Sequence, residues 1–154
     1  MTPRTILHAE VRPEWVDYNG HMNDAAYAAV FSNATDALMD TLGIDAAFRE
    51  RSGYTVYTLE GHIRYHREAR EGDPLAVTAR LLDHDTKRLH VFFTLTSGAT
   101  CLATGEYMLM GMDTEAGRPA PFPPPIAAAV DALAAEQADL ETPPEAGRRI
   151  GIRR

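Results

Sequence analysis

The chain has 154 residues, 45% of them apolar, with a formal net charge of -7 and a single cysteine. That length supports one hydrophobic core rather than two, and the acidity argues against a face built to neutralise nucleic-acid phosphates. A lone Cys101 excludes an internal disulfide or a thiolate metal cluster, and no apolar run approaches signal-peptide or membrane-spanning length. The expectation is a cytoplasmic domain over residues 1–141, followed by a loosely held tail at 142–154.

In chain order, TILHAEV (5–11) alternates as a first strand, and Pro13, Asn19 and Gly20 mark residues 12–20 as a loop. Asn23 offers a helix N-cap, Asp24 suits the positive end of the dipole, and Tyr27, Val30, Phe31, Ala34, Leu38 and Leu42 recur at helical spacing up to a stop at Gly43. A short helical stretch at 46–51 precedes YTVYTLEGHIRYH (54–66), whose period of two predicts a long half-buried strand. Strict alternation places Tyr57, Leu59, Ile63 and Tyr65 on one face and Glu60, His62, Arg64 and His66 on the other. Strands at 75–82, 87–96 and 100–112 complete an antiparallel meander, and residues 126–140 read as an amphipathic helix. One strand, a long helix and four further strands make an α+β layout, in which a curved antiparallel sheet wraps one central helix. Joining the edge strands of two copies would remove an exposed edge and create a cleft, so a homodimer or higher homo-oligomer is expected.

The segment WVDYNGHMNDAAY (15–27) gathers a carboxylate, two amides, a glycine and an imidazole directly before a helix start. Unpaired backbone N–H groups and a partial positive charge at that start suit a developing oxyanion. Asp17 could attack the same carbonyl or deprotonate a water that does. Taken singly, the Asp, Asn and Gly residues are also ordinary turn formers. Together they suit acyl transfer.

The order Asp17, Gly20, His21, Met22, Asn23, Tyr27 resembles the signature of the 4-hydroxybenzoyl-CoA thioesterase group of hot-dog proteins. GD at 72–73 and the strands LAVTARLL, KRLHVFFTLTS and ATGEYMLM are similar to the rest of that group's meander, so the resemblance covers about residues 5–113. It implies a hot-dog fold, acyl-CoA hydrolysis, Asp17 as the catalytic carboxylate, and the backbone around Asn23 and Asp24 as the group that polarises the thioester carbonyl. It implies no cofactor beyond the CoA carried by the substrate. Many members have a second acid two residues before the catalytic one, where this chain has Trp15, which leaves the acyl pocket open.

YTLEGHIRY with KRLH and WVDYNGHMN is closer to the betainyl-CoA thioesterase subgroup, linked to carnitine breakdown. A quaternary ammonium would be held by aromatic faces and a carboxylate, with Trp15, Tyr27, Tyr57 and Glu60 as candidates and His21 and His62 as neighbours. The bland alternative makes Tyr57 a core residue and pairs Glu60 with Arg64 or His62. Arg64, Arg67, Lys87 and Arg88 are the candidates for the CoA phosphates. No metal is expected: His62 and His66 on a strand stand roughly 13 Å apart, and His84, Asp85 and His90 suggest no ligand set. Two other functions stay open. In a hot-dog enoyl-CoA hydratase, whose pattern Asp17 and Asn19 fit, His21 would come one residue early, and an acyl-CoA-binding module would lack turnover.

Overall fold

The computed structural model describes residues 2–154. Its elements follow the expected order, with a 3-10 helix and a short β6 that were not expected: β1 (Thr5–Glu10), a 3-10 helix (Pro13–Trp15), α1 (Asp24–Leu42), α2 (Ala46–Ser52), β2 (Tyr54–Tyr65), β3 (Pro74–His84), β4 (Arg88–Ser97), β5 (Thr100–Asp113), β6 (Arg118–Pro119) and α3 (Pro124–Glu136). The final helix starts earlier than expected because prolines are tolerated in a first turn, and it ends at Gln137.

All strands join one antiparallel sheet in the order β1-β3-β4-β5-β2, with β6 on β5. The helix α1 is capped by Asn23, whose side chain accepts from the Ala26 N–H, and ends at Gly43 in the left-handed region. It buries Tyr27, Val30, Phe31, Ala34, Leu38 and Leu42 against the sheet, where Phe31 meets Phe93 with ring centroids 6.1 Å apart. One stripe of α1 thus fills the curve of the sheet.

Two features depart from the pattern read in the sequence. In β2 the register steps from Thr58–Leu109 to Glu60–Met108, so Leu59 is an extra residue in a bulge. The phase inverts there, and Tyr57, opposite Met110, shares the outer face with Glu60, His62 and Arg64 instead of opposing them. The segment expected to be a loose tail crosses that outer face and is tied down. Glu145 accepts from Arg64 (2.8 Å) and Thr104 (3.3 Å) and lies 3.0 Å from His66, while the Gly147 N–H donates to Glu106 at 2.8 Å. Cys101 is part-buried rather than enclosed, and burial, with Glu145 adding to it, raises its thiol above the ordinary value.

Candidate functional site

Residues 15–23 form a narrow antiparallel ribbon. The Asp17 N–H donates to the His21 carbonyl (2.9 Å), Val16 bridges Met22, and the Asn23 N–H donates to the Trp15 carbonyl (2.8 Å). Val16 and Met22 pack on the core, as does Trp15 at the start of the ribbon, while Asp17 and His21 lie on its other side. A turn closed by the Gly20 N–H on the Asp17 carbonyl (3.0 Å) forms its tip, where Gly20 takes a φ of 79°.

Asp17 also serves that turn. Its Oδ1 accepts from the Asn19 N–H at 2.8 Å and more distantly from His21 at 3.4 Å, while Oδ2 has no hydrogen bond among the described residues. Asn23 works twice, capping the helix through Oδ1 (3.0 Å) and donating through Nδ2 to the Trp15 carbonyl (2.7 Å). The Ala25 N–H donates to the Asp24 carboxylate, whereas the Asp24 N–H has no acceptor among the described residues. The helix start therefore offers one amide to an outside acceptor.

The stretch Arg67–Ala69 backs this ribbon. Ala69 accepts from the Met22 N–H at 2.8 Å, the Tyr27 hydroxyl donates to the Arg67 carbonyl at 3.1 Å, and His21 lies 3.0 Å from Glu68. Tyr27 is buried, and that burial raises its hydroxyl pKa. Tyr65 joins the group: its ring meets Tyr27 edge-on at 5.1 Å and its hydroxyl donates to the Asp24 carbonyl at 3.2 Å.

The structure thus gathers Asp17, His21, Asn23, Asp24, Tyr27 and Arg67 at one end of α1, and it separates the others. The Trp15 indole lies under the Arg12 guanidinium (5.0 Å) and lines a groove with Leu7, Val11 and Asn33 on the β1 side. Glu60 and His62 do share a face, as expected, but it is the outer one, where they border a groove with His90, Glu106 and Arg148. Arg64 is occupied by Glu145, and Arg88 by Asp85 at 2.6 Å. Three bonds, from the Lys87 N–H, the Arg88 side chain and the Arg88 N–H, pull the Asp85 carboxyl down to about 2. Tyr57 lies toward the far end of β2, roughly 23 Å from Tyr65 at about 3.3 Å per residue, and Arg88 on β4, with Lys87 before it, lies level with Tyr57 across β5. Within one chain they cannot share a pocket with Asp17. No three His, Cys, Asp or Glu side chains converge as a metal site among the described residues.

Tyr65 and Tyr107 are the candidate site residues that sequence reasoning passed over. A signal for Tyr107 existed: Gly61 and Gly105 lie inside strands, where a glycine marks a close approach.

A family model described as the thioesterase-like superfamily matches residues 11–130. The chain belongs to this superfamily. This thioesterase-like chain is 43% identical to a betainyl-CoA thioesterase of Pseudomonas aeruginosa over 150 residues, covering 96% of itself and 94% of that protein. It is 38% identical to an L-carnitine dehydrogenase/betainyl-CoA thioesterase of Rhizobium meliloti, covering 99% of itself but only 31% of that longer protein. Among solved structures, a hypothetical protein of Staphylococcus aureus in complex with CoA superposes with a TM-score of 0.91 at 33% identity, over 99% of this chain and 98% of the other. The helix wrapped by a curled antiparallel sheet is the hot-dog fold of this superfamily, and acyl-CoA thioester hydrolysis is its reaction class.

Proposed function

We propose that the chain hydrolyses an acyl-CoA thioester, that the acyl group is betaine or a close relative, and that Asp17 drives the attack. The observation that carries this reading is a carboxylate with one uncommitted oxygen in the same short ribbon as a helix start whose first amide lacks a protein acceptor. The thioester carbonyl accepts from the Asp24 N–H, and negative charge developing on its oxygen is favoured by the helix dipole. Asp17 attacks the carbonyl carbon, directly or through a water that it deprotonates. The C–S bond breaks and the CoA thiolate takes up the proton drawn from water; on the direct route a water then cleaves the anhydride formed on Asp17, and on either route one water is consumed as the free acid leaves.

The 43% identity to the Pseudomonas enzyme, spread over nearly the whole of both chains, supports betaine as the acyl group. Homodimerisation belongs to the same reading. The strand β2 is 12 residues long and pairs on one side only, and Tyr57 and Leu59 on it are 49% and 54% exposed, too much apolar surface to leave on an open edge. Antiparallel pairing of two β2 edges sets the Tyr57 end of one strand beside the Tyr65 end of the other. The outer faces of the two copies stay on one side of the joined sheet, so Tyr57 and Arg88 border the seam there, while Arg67 lies beside the site of its own copy.

The test is a panel of betainyl-, short aliphatic and aromatic CoA esters, scored by release of free thiol. The reading expects the highest kcat/KM with betainyl-CoA. A preference for the aromatic ester, or no discrimination, overturns the choice of substrate.

A further inference from the structure

The inner face of the sheet, beside the start of α1, carries aromatic surface that the ribbon chemistry does not use. Tyr107 on β5 lies opposite Gly61 on β2, and its ring rests over both Gly61 and Gly105. A Cβ at Gly61 would lie 2.5 Å from the ring, and one at Gly105 2.8 Å from it. Neither glycine has a positive φ, so the backbone does not require glycine at either place. What requires it is the room taken by the ring.

One flank of that ring packs on Phe31 and Phe93, with centroids 6.1 and 5.8 Å away. The hydroxyl has no protein partner among the described residues and is not shut off from solvent, so this end of the ring opens outward. Burial pushes the hydroxyl up to about 12, with Tyr65 adding to it, so the ring stays neutral at any working pH. Tyr65, 52% exposed, lies four residues along β2 from Gly61 on the same face, and its hydroxyl is bonded to the Asp24 carbonyl at the helix start. Tyr65, with the buried Tyr27 against its ring, and Tyr107 therefore both stand on the inner face, Tyr65 at the helix start and Tyr107 farther along against Phe31, with Ile63 between them on the strand.

We propose that Tyr65 and Tyr107, backed by Tyr27, form the wall that selects a quaternary-ammonium acyl group, and that Gly61 makes room for the Tyr107 ring in that wall. This rests on the substrate reading above. In a betainyl ester the cationic nitrogen is two bonds from the thioester carbon, about 2.5 Å by ordinary bond lengths. A carbonyl held at the helix start thus brings its trimethylammonium against whatever faces that start. The facing groups are aromatic, and aromatic faces stabilise a cation that cannot accept or donate a hydrogen bond. Tyr57 and Glu60, on the outer face, are not available to the same ester within one chain.

The experiment compares betainyl-CoA with 3,3-dimethylbutyryl-CoA, which has the same shape with carbon in place of the charged nitrogen. The quantity read is the ratio of kcat/KM for the two esters in the full-length protein. Tyr65→Leu and Tyr107→Leu each lower that ratio about tenfold, while Tyr65→Phe and Tyr107→Phe hold it within about threefold because the ring face remains. Gly61→Ala displaces the Tyr107 ring and shifts the ratio in the direction of Tyr107→Leu. A ratio unmoved by the leucine variants overturns the wall and leaves the substrate reading intact. Phenylalanine variants as impaired as the leucine ones also overturn it, by giving the work to the hydroxyls. Wild-type protein that does not turn over betainyl-CoA overturns the substrate reading and the wall with it.

Discussion

Asn23 shows how one side chain can support both structure and chemistry. Its carbonyl oxygen caps α1 while its amide nitrogen holds the Trp15 carbonyl, so the helix start and the ribbon bearing Asp17 are fastened together. Replacing Asn23 with Ala loses both bonds, and a fall in unfolding free energy of about 1–2 kcal/mol is expected in urea titrations. Asn23→Ser keeps a capping oxygen but cannot also reach the Trp15 carbonyl, so it recovers only part of the loss. Full recovery by serine would mean that the link to Trp15 contributes nothing. Asp17 has a similar double role, because one carboxylate oxygen holds the turn and the other is uncommitted. Turn formation and acyl transfer, competing readings in the sequence, are compatible in the structure.

At the scale of elements, most of the layout was legible. The period of α1, its cap at Asn23, its stop at Gly43 and the turn residues between strands are local signals, and β1 to β5 each fall within a few residues of their expected places, while the two-residue β6 had no signal. What was not legible depends on contacts far apart in sequence. Nothing in YTVYTLEGHIRY announces that Leu59 is an extra residue, yet that bulge moves Tyr57 to the face of Glu60 and inverts the reading of which residues line which pocket. The C-terminal segment, rich in proline, glycine and arginine, has no periodicity of its own. Its order comes from Glu145 meeting Arg64, His66 and Thr104 across the sheet. Of the candidate site residues, those in the ribbon and first helical turn were found because they are close in sequence. Tyr65 and Tyr107 escaped because only strand pairing brings Tyr65 to the helix start and Tyr107 to the same inner face.

At the scale of the molecule, the open β2 edge is the feature a single chain leaves unexplained. Light scattering on the eluting protein is expected to give twice the 16.9 kDa chain mass, and Leu59→Lys, which puts a charge in the seam, to move the population toward monomer with loss of activity. Wild-type protein that remains monomeric at micromolar concentration would contradict this assembly. No helix is long and apolar enough to cross a membrane among the described residues.

The central claim is that the Asp17 carboxylate drives thioester cleavage at the start of α1. Asp17→Asn tests it most directly, because the amide oxygen can still accept from the Asn19 N–H and preserve the turn while the negative charge is removed. Measured on betainyl-CoA with unchanged unfolding behaviour, kcat/KM is predicted to fall by at least about 10³-fold. Turnover within about tenfold of wild type in that variant would contradict the account.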